Sequence, residues 1–584
     1  METKTCQNCK NPFTIEPEDF SFYEKMRVPA PTWCPECRMI RRMMFRNERL
    51  LFRAKDAADG KEIFSGIPAS APVQIYDKEY WWSDAWDPMQ YGRDYDLSRP
   101  FFEQFRDLLY AVPWPSRNVV RIVNSDYSNN AGDLKNCYLC FNAGSGEDSA
   151  YLVDIFNQKN CFDVSSTTSS ELCYDGMAVR DCYRTFYSAT CEKCHDVWLS
   201  RDCTGCTYCF GCANLRNKQY YIFNQPYTKE EYFAALRQLL QDGSHAALES
   251  AKEKAYRVWR AHPYRYMLGW HNTHATGDWL VNSKNARHCF NGTEVEDSKW
   301  CQNAVQGVRD SYDFSMGGVK CEMMYEAEDV WDNCRNVRFA FNCWPASQDM
   351  EYSANCPSSA NLFGCASLRK KSYCILNKQY SKEDYLVLRE KIIRHMDEMP
   401  YTDKHGRAYR YGEFFPQEFS PFAYNETIAQ DMFPLTKDEA IAKGYTWRDA
   451  ATREYQTTIR AEDLPDRIGE VPDTILKEII RCADCGKAYR IIQTELQFLR
   501  TMQLPLPRQC PNCRHIRRLR LRNAPRFYDR RCTCGGSTSD NGAYGNQEGH
   551  FHGASECPSE FETSYAPDRP EIVYCEQCYQ AETA

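Results

Sequence analysis

Small and apolar residues recur at every third position through the middle of the chain. Eleven cysteines from Cys137 to Cys212 are all separated by multiples of three, and the intervening positions of that register, such as Ala143, are small or apolar almost without exception. A period of three fits neither a helix nor a flat strand. A narrow parallel β-solenoid explains it, because short strands joined by tight corners return every coil to a cramped axis.

A second run of the same register begins at Ser283, includes Cys289 and slips after Gly307. The two runs end in similar stretches, FGCANLRNKQYYIFN from Phe210 and FGCASLRKKSYCILN from Phe363. The sequence therefore predicts two copies of one solenoid block. Spacings of three, nine and twelve all occur between the cysteines, so the length of one coil stays open.

Polar residues just before several cysteines favour corners, because Asn and Asp tolerate left-handed backbone. Aromatic residues commonly follow the cysteine and could stack between neighbouring coils. The corner candidates are Asn136, Asn160, Asp181, Asp202 and Asn214, and the aromatic candidates are Tyr138, Phe162, Tyr174 and Tyr183.

Each block is expected to close with a helix. Thr228 with Glu231, and Ser381 with Asp384, have the spacing of a capping box at a helix start. A helix over the last coil would cover an open strand edge.

Both ends of the chain carry the same cysteine pattern. Two CxxC pairs near the N-terminus recur near the C-terminus with the same spacing, and a shift of 476 residues also superposes Phe22 on Phe498. Two CxxC turns complete a four-sulfur tetrahedral site that suits zinc, and four thiolates leave no open position for catalysis. Burial of reduced cysteines is the alternative. The predicted ligands are Cys6, Cys9, Cys34 and Cys37 in one ribbon, and Cys482, Cys485, Cys510 and Cys513 in the other.

A third zinc site is predicted after the second ribbon. A CxC pair and a CxxC pair flank two histidines and a further cysteine, which gives more ligands than one ion needs. We expect about three zinc ions per chain. The first choice of ligands is Cys532, Cys534, Cys575 and Cys578, with His550, His552 or Cys557 replacing one of them as the alternative.

Arginines follow the second CxxC of each ribbon, at the spacing of one face of an amphipathic helix. Because guanidinium groups pair bidentately with phosphate, contact with RNA or a ribonucleoprotein is one hypothesis. The alternatives are a solvated charged face, or pairing with acidic residues of the solenoid. The candidates are Arg38, Arg41, Arg42, Arg46, Arg514, Arg517, Arg518 and Arg522.

Composition narrows the class of protein. A net charge of −8 over 584 residues excludes a uniformly basic nucleic-acid binder. The start of the chain lacks the apolar core of a signal peptide, and no window is long and apolar enough for a membrane span. We expect a cytoplasmic protein without membrane contact, whose 32 cysteines stay reduced. The run CTGCTYCFGC is interpreted as buried thiols, with an iron–sulfur or extra zinc site as the alternative.

The termini resemble a family. A CxxC pair, an aromatic-rich middle such as FTIEPEDFSFYEKM, and CPECR or CPNCR are similar to zinc-ribbon domains that occur, often duplicated, in uncharacterised bacterial proteins. The order of segments also resembles whole-length bacterial proteins with a Cys- and aromatic-rich repeat region. The resemblance implies zinc and carries no established activity.

We therefore expect a mainly β protein: a duplicated narrow parallel β-solenoid with helical closing segments, flanked by small zinc-ribbon modules at both termini. The Trp-rich segment is expected to dock the first ribbon against the first coil. The predicted segments are a ribbon with basic helix (1–55), the Trp-rich segment (56–123), the first block (124–227), a helical close (228–281), the second block (282–380), a helix and extended wrap (381–475), the second ribbon with basic helix (476–531) and a third zinc module (532–584).

No catalytic motif stands out, and no catalytic residue is predicted. The leading hypothesis is a zinc-binding, non-enzymatic scaffold that contacts RNA or a ribonucleoprotein through the arginine helices. The alternative is a protein–protein interaction scaffold in which the ribbons are structural caps. A second alternative is a β-solenoid enzyme, such as an acyltransferase or carbohydrate-active enzyme. The oligomeric state stays open.

Overall fold

The structure is a computed structural model that describes residues 1–305, 307–318, 322–330, 337–341, 347–449 and 455–583. The chain is rich in strands, most of them in parallel sheets. It forms two compact units. Unit 1 comprises Met1–Arg117, Met267–Asp449 and Ala524–Phe527, and unit 2 comprises Asn118–Tyr266, Ala450–Asn523 and Tyr528–Ala584. Each unit thus joins one predicted block to the ribbon from the far end of the sequence.

The helices span 5 to 17 residues, and the strands mostly span four to seven residues. The helices are α1 Pro17–Met26, α2 Pro35–Met43, α3 Lys78–Trp82, α4 Phe101–Ala111, α5 Lys229–Leu240, α6 His245–Ala261, α7 Lys382–Glu398, α8 Ile428–Met432, α9 Lys437–Ala442, α10 Gln493–Met502, α11 Pro511–Leu519 and α12 Glu576–Thr583.

The strands of the first half are β1 Glu2–Thr5, β2 Pro12–Ile15, β3 Phe52–Lys55, β4 Glu62–Ser65, β5 Ile75–Tyr76, β6 Trp114–Pro115, β7 Val119–Val123, β8 Asn129–Lys135, β9 Phe141–Glu147, β10 Val153–Lys159, β11 Phe162–Glu171, β12 Tyr174–Met177, β13 Tyr183–Phe186, β14 His195–Trp198, β15 Thr207–Phe210, β16 Gln219–Ile222, β17 Gln225–Pro226 and β18 Tyr264–Arg265. Those of the second half are β19 Gly269–Trp270, β20 Gly277–Val281, β21 Cys289–Thr293, β22 Gln302–Val305, β23 Ser315–Gly318, β24 Glu328–Val330, β25 Gln348–Glu351, β26 Ala360–Phe363, β27 Ser372–Ile375, β28 Lys378–Gln379, β29 Tyr401–Thr402, β30 Ala408–Tyr409, β31 Ile459–Arg460, β32 Ile480–Arg481, β33 Ala488–Tyr489, β34 Tyr528–Arg531, β35 Glu560–Thr563 and β36 Val573–Tyr574.

Unit 2 contains an eleven-stranded sheet, β7 to β17, in which only the last pair is antiparallel. Its register is constant. Val153 pairs with Ser165, and Phe162 pairs with Tyr174, so each residue lies beside the residue twelve positions further on. The repeat length that the cysteine spacings left open is therefore twelve residues in this sheet.

The backbone turns at every third residue of this sheet. Non-glycine residues with positive φ follow one another at that interval, for example Asn130, Asp133 and Asn136, whose φ values are 49°, 56° and 54°. All five predicted corner residues have positive φ, which confirms the prediction for them. Neighbouring corners are also linked, because Asn136 Nδ2 donates to Asp148 Oδ1 at 2.8 Å, twelve residues further on.

The three-residue register faces inward. Every cysteine from Cys137 to Cys212 is buried, and their thiols lie against backbone carbonyls. Cys161 Sγ, for example, is 3.3 Å from the Lys159 oxygen. Aromatic rings twelve residues apart also stack, as in the pair Tyr208 and Tyr220, whose centroids are 5.5 Å apart and whose planes differ by 5°. Buried thiols fill the interior of the first block as small hydrophobic groups.

Unit 1 contains a parallel six-stranded sheet, β19 to β24, and a four-stranded sheet, β25 to β28. Gly277 pairs with Cys289, twelve residues on, whereas Gln302 pairs with Ser315, thirteen residues on. The extra residue explains why the three-residue register slips in the second run. Residues 306, 319–321, 331–336 and 342–346 of the predicted second block lie outside the described part of the chain.

Helices α5 and α7 begin at the two predicted capping positions. The Thr228 hydroxyl accepts from the Glu231 amide, and the Ser381 hydroxyl accepts from the Asp384 amide at 3.0 Å. The Trp-rich segment contributes its last residues, Val119–Val123, to the eleven-stranded sheet as β7, and an earlier part of it contacts the second block. Its carbonyl groups accept hydrogen bonds from the end of the second block: Ser367 Oγ donates to Pro113 at 2.9 Å, and Asn377 Nδ2 donates to Pro88 at 3.1 Å.

Candidate metal centres and arginine clusters

The N-terminal ribbon brings its four cysteines together. The β1–β2 hairpin carries the first CxxC, and Cys34 caps the start of α2. The ligand atoms of Cys6, Cys9, Cys34 and Cys37 lie within 4.8 Å of one another. Cys9 Sγ is 3.8 Å from Cys34 Sγ. Because metal–sulfur bonds of about 2.3 Å give a tetrahedron with edges of about 3.8 Å, this spacing suits zinc.

The C-terminal ribbon repeats the arrangement in unit 2. The β32–β33 hairpin carries Cys482 and Cys485, and Cys510 caps α11. Cys485 Sγ is 3.7 Å from Cys510 Sγ, and the Cys510 amide lies 3.2 Å from Cys482 Sγ. With Cys513, these residues form a second four-sulfur group within 4.8 Å. Cysteine clusters at both ends of the chain could therefore hold metal ions.

The arginines of α2 are buried against the second block. Arg38 and Arg42 both reach Asp313, with the Arg38 Nη2 to Asp313 Oδ2 distance at 2.8 Å. Arg41 pairs with Glu326 at 2.8 Å and with Glu413 of the extended wrap at 3.0 Å. The side chains of all three arginines are at most 1 % exposed. Buried charges of this kind require partners, and each of these arginines has one.

Aromatic rings complete the environment of these arginines. The Arg38 guanidinium lies 4.9 Å from the ring centroid of Trp300, and the Arg41 guanidinium lies 4.3 Å from that of Trp33. Such cation–π contacts are strongest where water is excluded. The three buried arginines of α2 therefore have their ion-pair and cation–π partners within unit 1.

The arginines of α11 pair with the first block in the same way. Arg514 contacts Asp163 at 3.1 Å and Glu495 at 2.8 Å. Arg518 lies 3.1 Å from both Asp163 and Asp175. Arg517 also pairs with Asp175, but a third of its side chain is exposed.

The remaining two predicted arginines lie further along. Arg46 is buried and pairs with Glu48 at 3.0 Å and with Glu328 at 3.5 Å. Arg522 is half-buried. None of the eight candidates is an exposed side chain, and seven of them form ion pairs with carboxylates of the blocks, the wrap or the ribbons, which favours the alternative of pairing with acidic residues.

Burial and charge shift the acidic partners in opposite directions. Burial raises the pKa of Glu326 to about 7 and outweighs the attraction of Arg41 and Arg42. Burial would also raise the pKa of Asp175, but Arg517 and Arg518 outweigh it and lower that pKa to about 2. Glu326 therefore loses its proton near neutral pH, whereas Asp175 is already ionised there.

The third module divides the predicted ligands between two groups. Cys532, Cys557, Cys575 and Cys578 form one group within 4.8 Å, and Cys534, His550, His552 and Cys578 form the other. Cys557 takes the place of Cys534 beside Cys532, Cys575 and Cys578, which is one of the expected alternatives. Cys534 instead lies against His552, with its sulfur 3.3 Å from Nε2, and shares Cys578 with the first group. The described part of the chain contains four candidate metal groups, one more than the expected three.

The carboxylates that pair with the arginines were not predicted from the sequence. A signal was present: Phe162-Asp163-Val164-Ser165 and Tyr312-Asp313-Phe314-Ser315 share an aromatic–Asp–x–Ser pattern, once in each block. In both copies the serine hydroxyl also faces the arginine, at 2.9 Å from Arg42 Nε and 3.3 Å from Arg518 Nε.

Comparisons with known proteins add little. No protein-family model and no curated protein matches the chain. A solved structure of a "putative acetyltransferase" from Desulfovibrio desulfuricans G20 matches at 10 % identity with a TM-score of 0.09, over 51 % of this chain and 84 % of that one. Among the described residues, we find no helix with the length and apolar character that crossing a membrane requires.

Proposed function

We propose that the protein is a zinc-binding, non-enzymatic scaffold that binds a protein partner, with two β-solenoid blocks each capped by a structural ribbon. The twelve-residue register and the left-handed residue at every third position support the solenoid in the first block. The duplicated ribbons support the resemblance to bacterial proteins of the same segment order.

The observation that carries this proposal is the burial of the ribbon arginines. Arg38, Arg41 and Arg42 are shielded from solvent and paired with carboxylates, as are Arg514 and Arg518. A guanidinium in that position cannot reach a phosphate without breaking its ion pairs. The burial of these arginines therefore favours a structural role for the two helices. Contact with RNA is the competing hypothesis, and it is tested below.

Zinc would act by holding each arginine helix in place. Cys34 caps α2 and is a candidate ligand, and Arg38 follows one turn later. Cys510 and Arg514 repeat this arrangement on α11. A bound zinc ion would supply folding free energy to a ribbon with little core of its own. The metal site and the buried ion pairs thus depend on the same helix.

An exposed apolar strip on the first block is the surface that we assign to the partner. Val120, Gly132, Gly144 and Phe156 occupy successive paired positions across strands β7 to β10. Val120 is 39 % exposed and Phe156 is 49 % exposed. A Cβ on Gly144 would lie 2.9 Å from the Phe156 ring, so glycine leaves the space that this ring occupies. Exposed apolar surface of this kind favours protein contact.

A photo-crosslinking amino acid at Phe156 tests this surface in the cells that make the protein. We expect a defined cross-linked protein species that is lost when Val120→Asp is added. The matched control places the same crosslinker at Ile441 of α9, which is 54 % exposed in unit 1. The same species from both positions, or none from Phe156, would contradict the proposal.

The RNA hypothesis is tested on the purified full chain. A labelled structured RNA is titrated at about 50 and about 200 mM salt, where phosphate contacts differ strongly in strength. We expect no saturable binding. Binding whose logarithm falls linearly with the logarithm of salt concentration would show that basic residues reach phosphates, and would favour the RNA scaffold instead.

A further inference from the structure

The C-terminal module concentrates seven metal-ligating side chains in one place. Five are cysteines and two are histidines, and all are contributed by residues 532–578. They form two four-membered groups that have one residue, Cys578, in common. A single tetrahedral ion uses only four ligands, so one ion leaves three of the seven without a role.

The all-sulfur group has the dimensions of a tetrahedral site. Cys557 Sγ lies 3.9 Å from Cys575 Sγ and 3.8 Å from Cys578 Sγ. The Cys575 amide lies 3.2 Å from Cys532 Sγ, as the equivalent amides do in both ribbons. An amide hydrogen bond to a ligating sulfur stabilises the thiolate. This group therefore repeats the ribbon chemistry.

The mixed group places an imidazole between two sulfurs. His552 Nε2 is 3.3 Å from both Cys534 Sγ and Cys578 Sγ. The other nitrogen, Nδ1, lies 2.8 Å from the Ser555 carbonyl oxygen, which orients the ring as a second partner does for metal-bound histidines.

His550 is oriented in the same manner by a carboxylate. Its Nε2 lies 3.0 Å from Glu582 Oε1, and both side chains are fully buried. Its Nδ1 is buried and has no hydrogen-bond partner among the described residues. Buried polar nitrogens are nearly always satisfied, so this one is accounted for by a ligand in the mixed group. The carboxylate–histidine pair is typical of metal sites.

We propose that the C-terminal module holds two divalent metal ions that share the thiolate of Cys578. Two tetrahedral ions with one common ligand need seven ligands, which is the number that the module supplies. Five thiolates and two neutral imidazoles would leave the pair of ions with a net charge of −1. The sulfur and imidazole donors favour zinc over harder ions.

Native mass spectrometry of the full chain, after dialysis against a chelator that the wild type withstands, tests the proposal. Relative to the wild type, we expect His552→Ala and Cys557→Ser each to lose one zinc ion and Cys578→Ser to lose two. His405→Ala, an exposed histidine outside all four groups, is the control and should lose none. Loss of a single ion from Cys578→Ser, or of none from His552→Ala, would overturn the shared site.

Cadmium substitution of the wild-type chain gives a second test, which does not depend on the correct folding of any variant. With ¹¹³Cd, we expect one resonance in the range of sulfur–nitrogen sites to show scalar coupling to one resonance in the range of all-sulfur sites. Such coupling requires a shared bridging atom. A spectrum without the sulfur–nitrogen resonance, or with both resonances uncoupled, would overturn the proposal.

Discussion

The two ribbon–block pairs use the same contact at equivalent positions. Arg42 meets Asp313 in unit 1, and Arg518, which lies 476 residues further on, meets Asp163 in unit 2. The next turn of each block supplies a second carboxylate, Glu326 thirteen residues after Asp313 and Asp175 twelve residues after Asp163. The contact between a ribbon helix and its block therefore occurs twice in the chain, with equivalent residues.

The third carboxylate of each cluster has a different origin. In unit 2, Glu495 of the ribbon's own helix α10 pairs with Arg514 at 2.8 Å. The equivalent residue of the first ribbon, Asp19, pairs instead with Lys299 of the second block, again at 2.8 Å. Unit 1 takes its third carboxylate, Glu413, from the wrap. What the copies keep is the balance of buried charge, three arginines with three carboxylates, because an unpaired buried charge is costly.

The largest expected effect comes from removing one metal site at a time. Cys34→Ser should open the N-terminal ribbon and lower hydrogen-exchange protection in the second block, and Cys510→Ser should do the same for the first block. The apparent free energy at stake is on the order of 10 kcal/mol for a structural zinc site. Mass spectrometry of exchange in each block measures the effect. Each variant serves as the other's control, and protection lost in the block of the other unit would contradict the pairing.

A smaller effect separates the two copies at one pair of equivalent positions. Arg41 is fully buried and has two carboxylate partners, whereas Arg517 is one-third exposed and has one. Arg41→Met should lower the free energy of unfolding by about 3–5 kcal/mol. Arg517→Met should lower it by about 1 kcal/mol, because water can solvate the remaining charge. Chemical denaturation measures both, and equal losses would show that burial does not distinguish the copies.

The sequence could predict which cysteines lie together in the two ribbons, and where the backbone turns, because those features are local. A CxxC pair sets the positions of its own sulfurs, and Asn136 sets its own left-handed backbone. Which block each ribbon contacts could not be predicted, since it depends on residues as far apart as Arg38 and Asp313. Spacing along the chain carries no information about such pairs. The third module was predicted only in part for a related reason, because seven candidate ligands in 47 residues allow many groupings.

The smallest expected effect is a difference in pH dependence between the units. The pKa of Glu326 is raised from its ordinary value of 4.5 to about 7. The folded state then binds a proton that the unfolded state has released, so stability falls as pH rises between these values. Between pH 5.5 and pH 8, unit 1 should lose about 2 kcal/mol through this group. In unit 2, the pKa of Asp175 is lowered to about 2, so its contribution stays constant over the same interval and is lost only in acid.

Hydrogen exchange of α2 and α11, corrected for the intrinsic pH dependence of exchange, compares the two units in one sample. Protection of α2 should fall across this interval relative to that of α11. Glu326→Gln is the control, because a neutral amide cannot titrate and should remove the difference. A decline that persists in Glu326→Gln would assign the pH dependence to another group, and protection of α2 that rises with pH would contradict the raised pKa of Glu326.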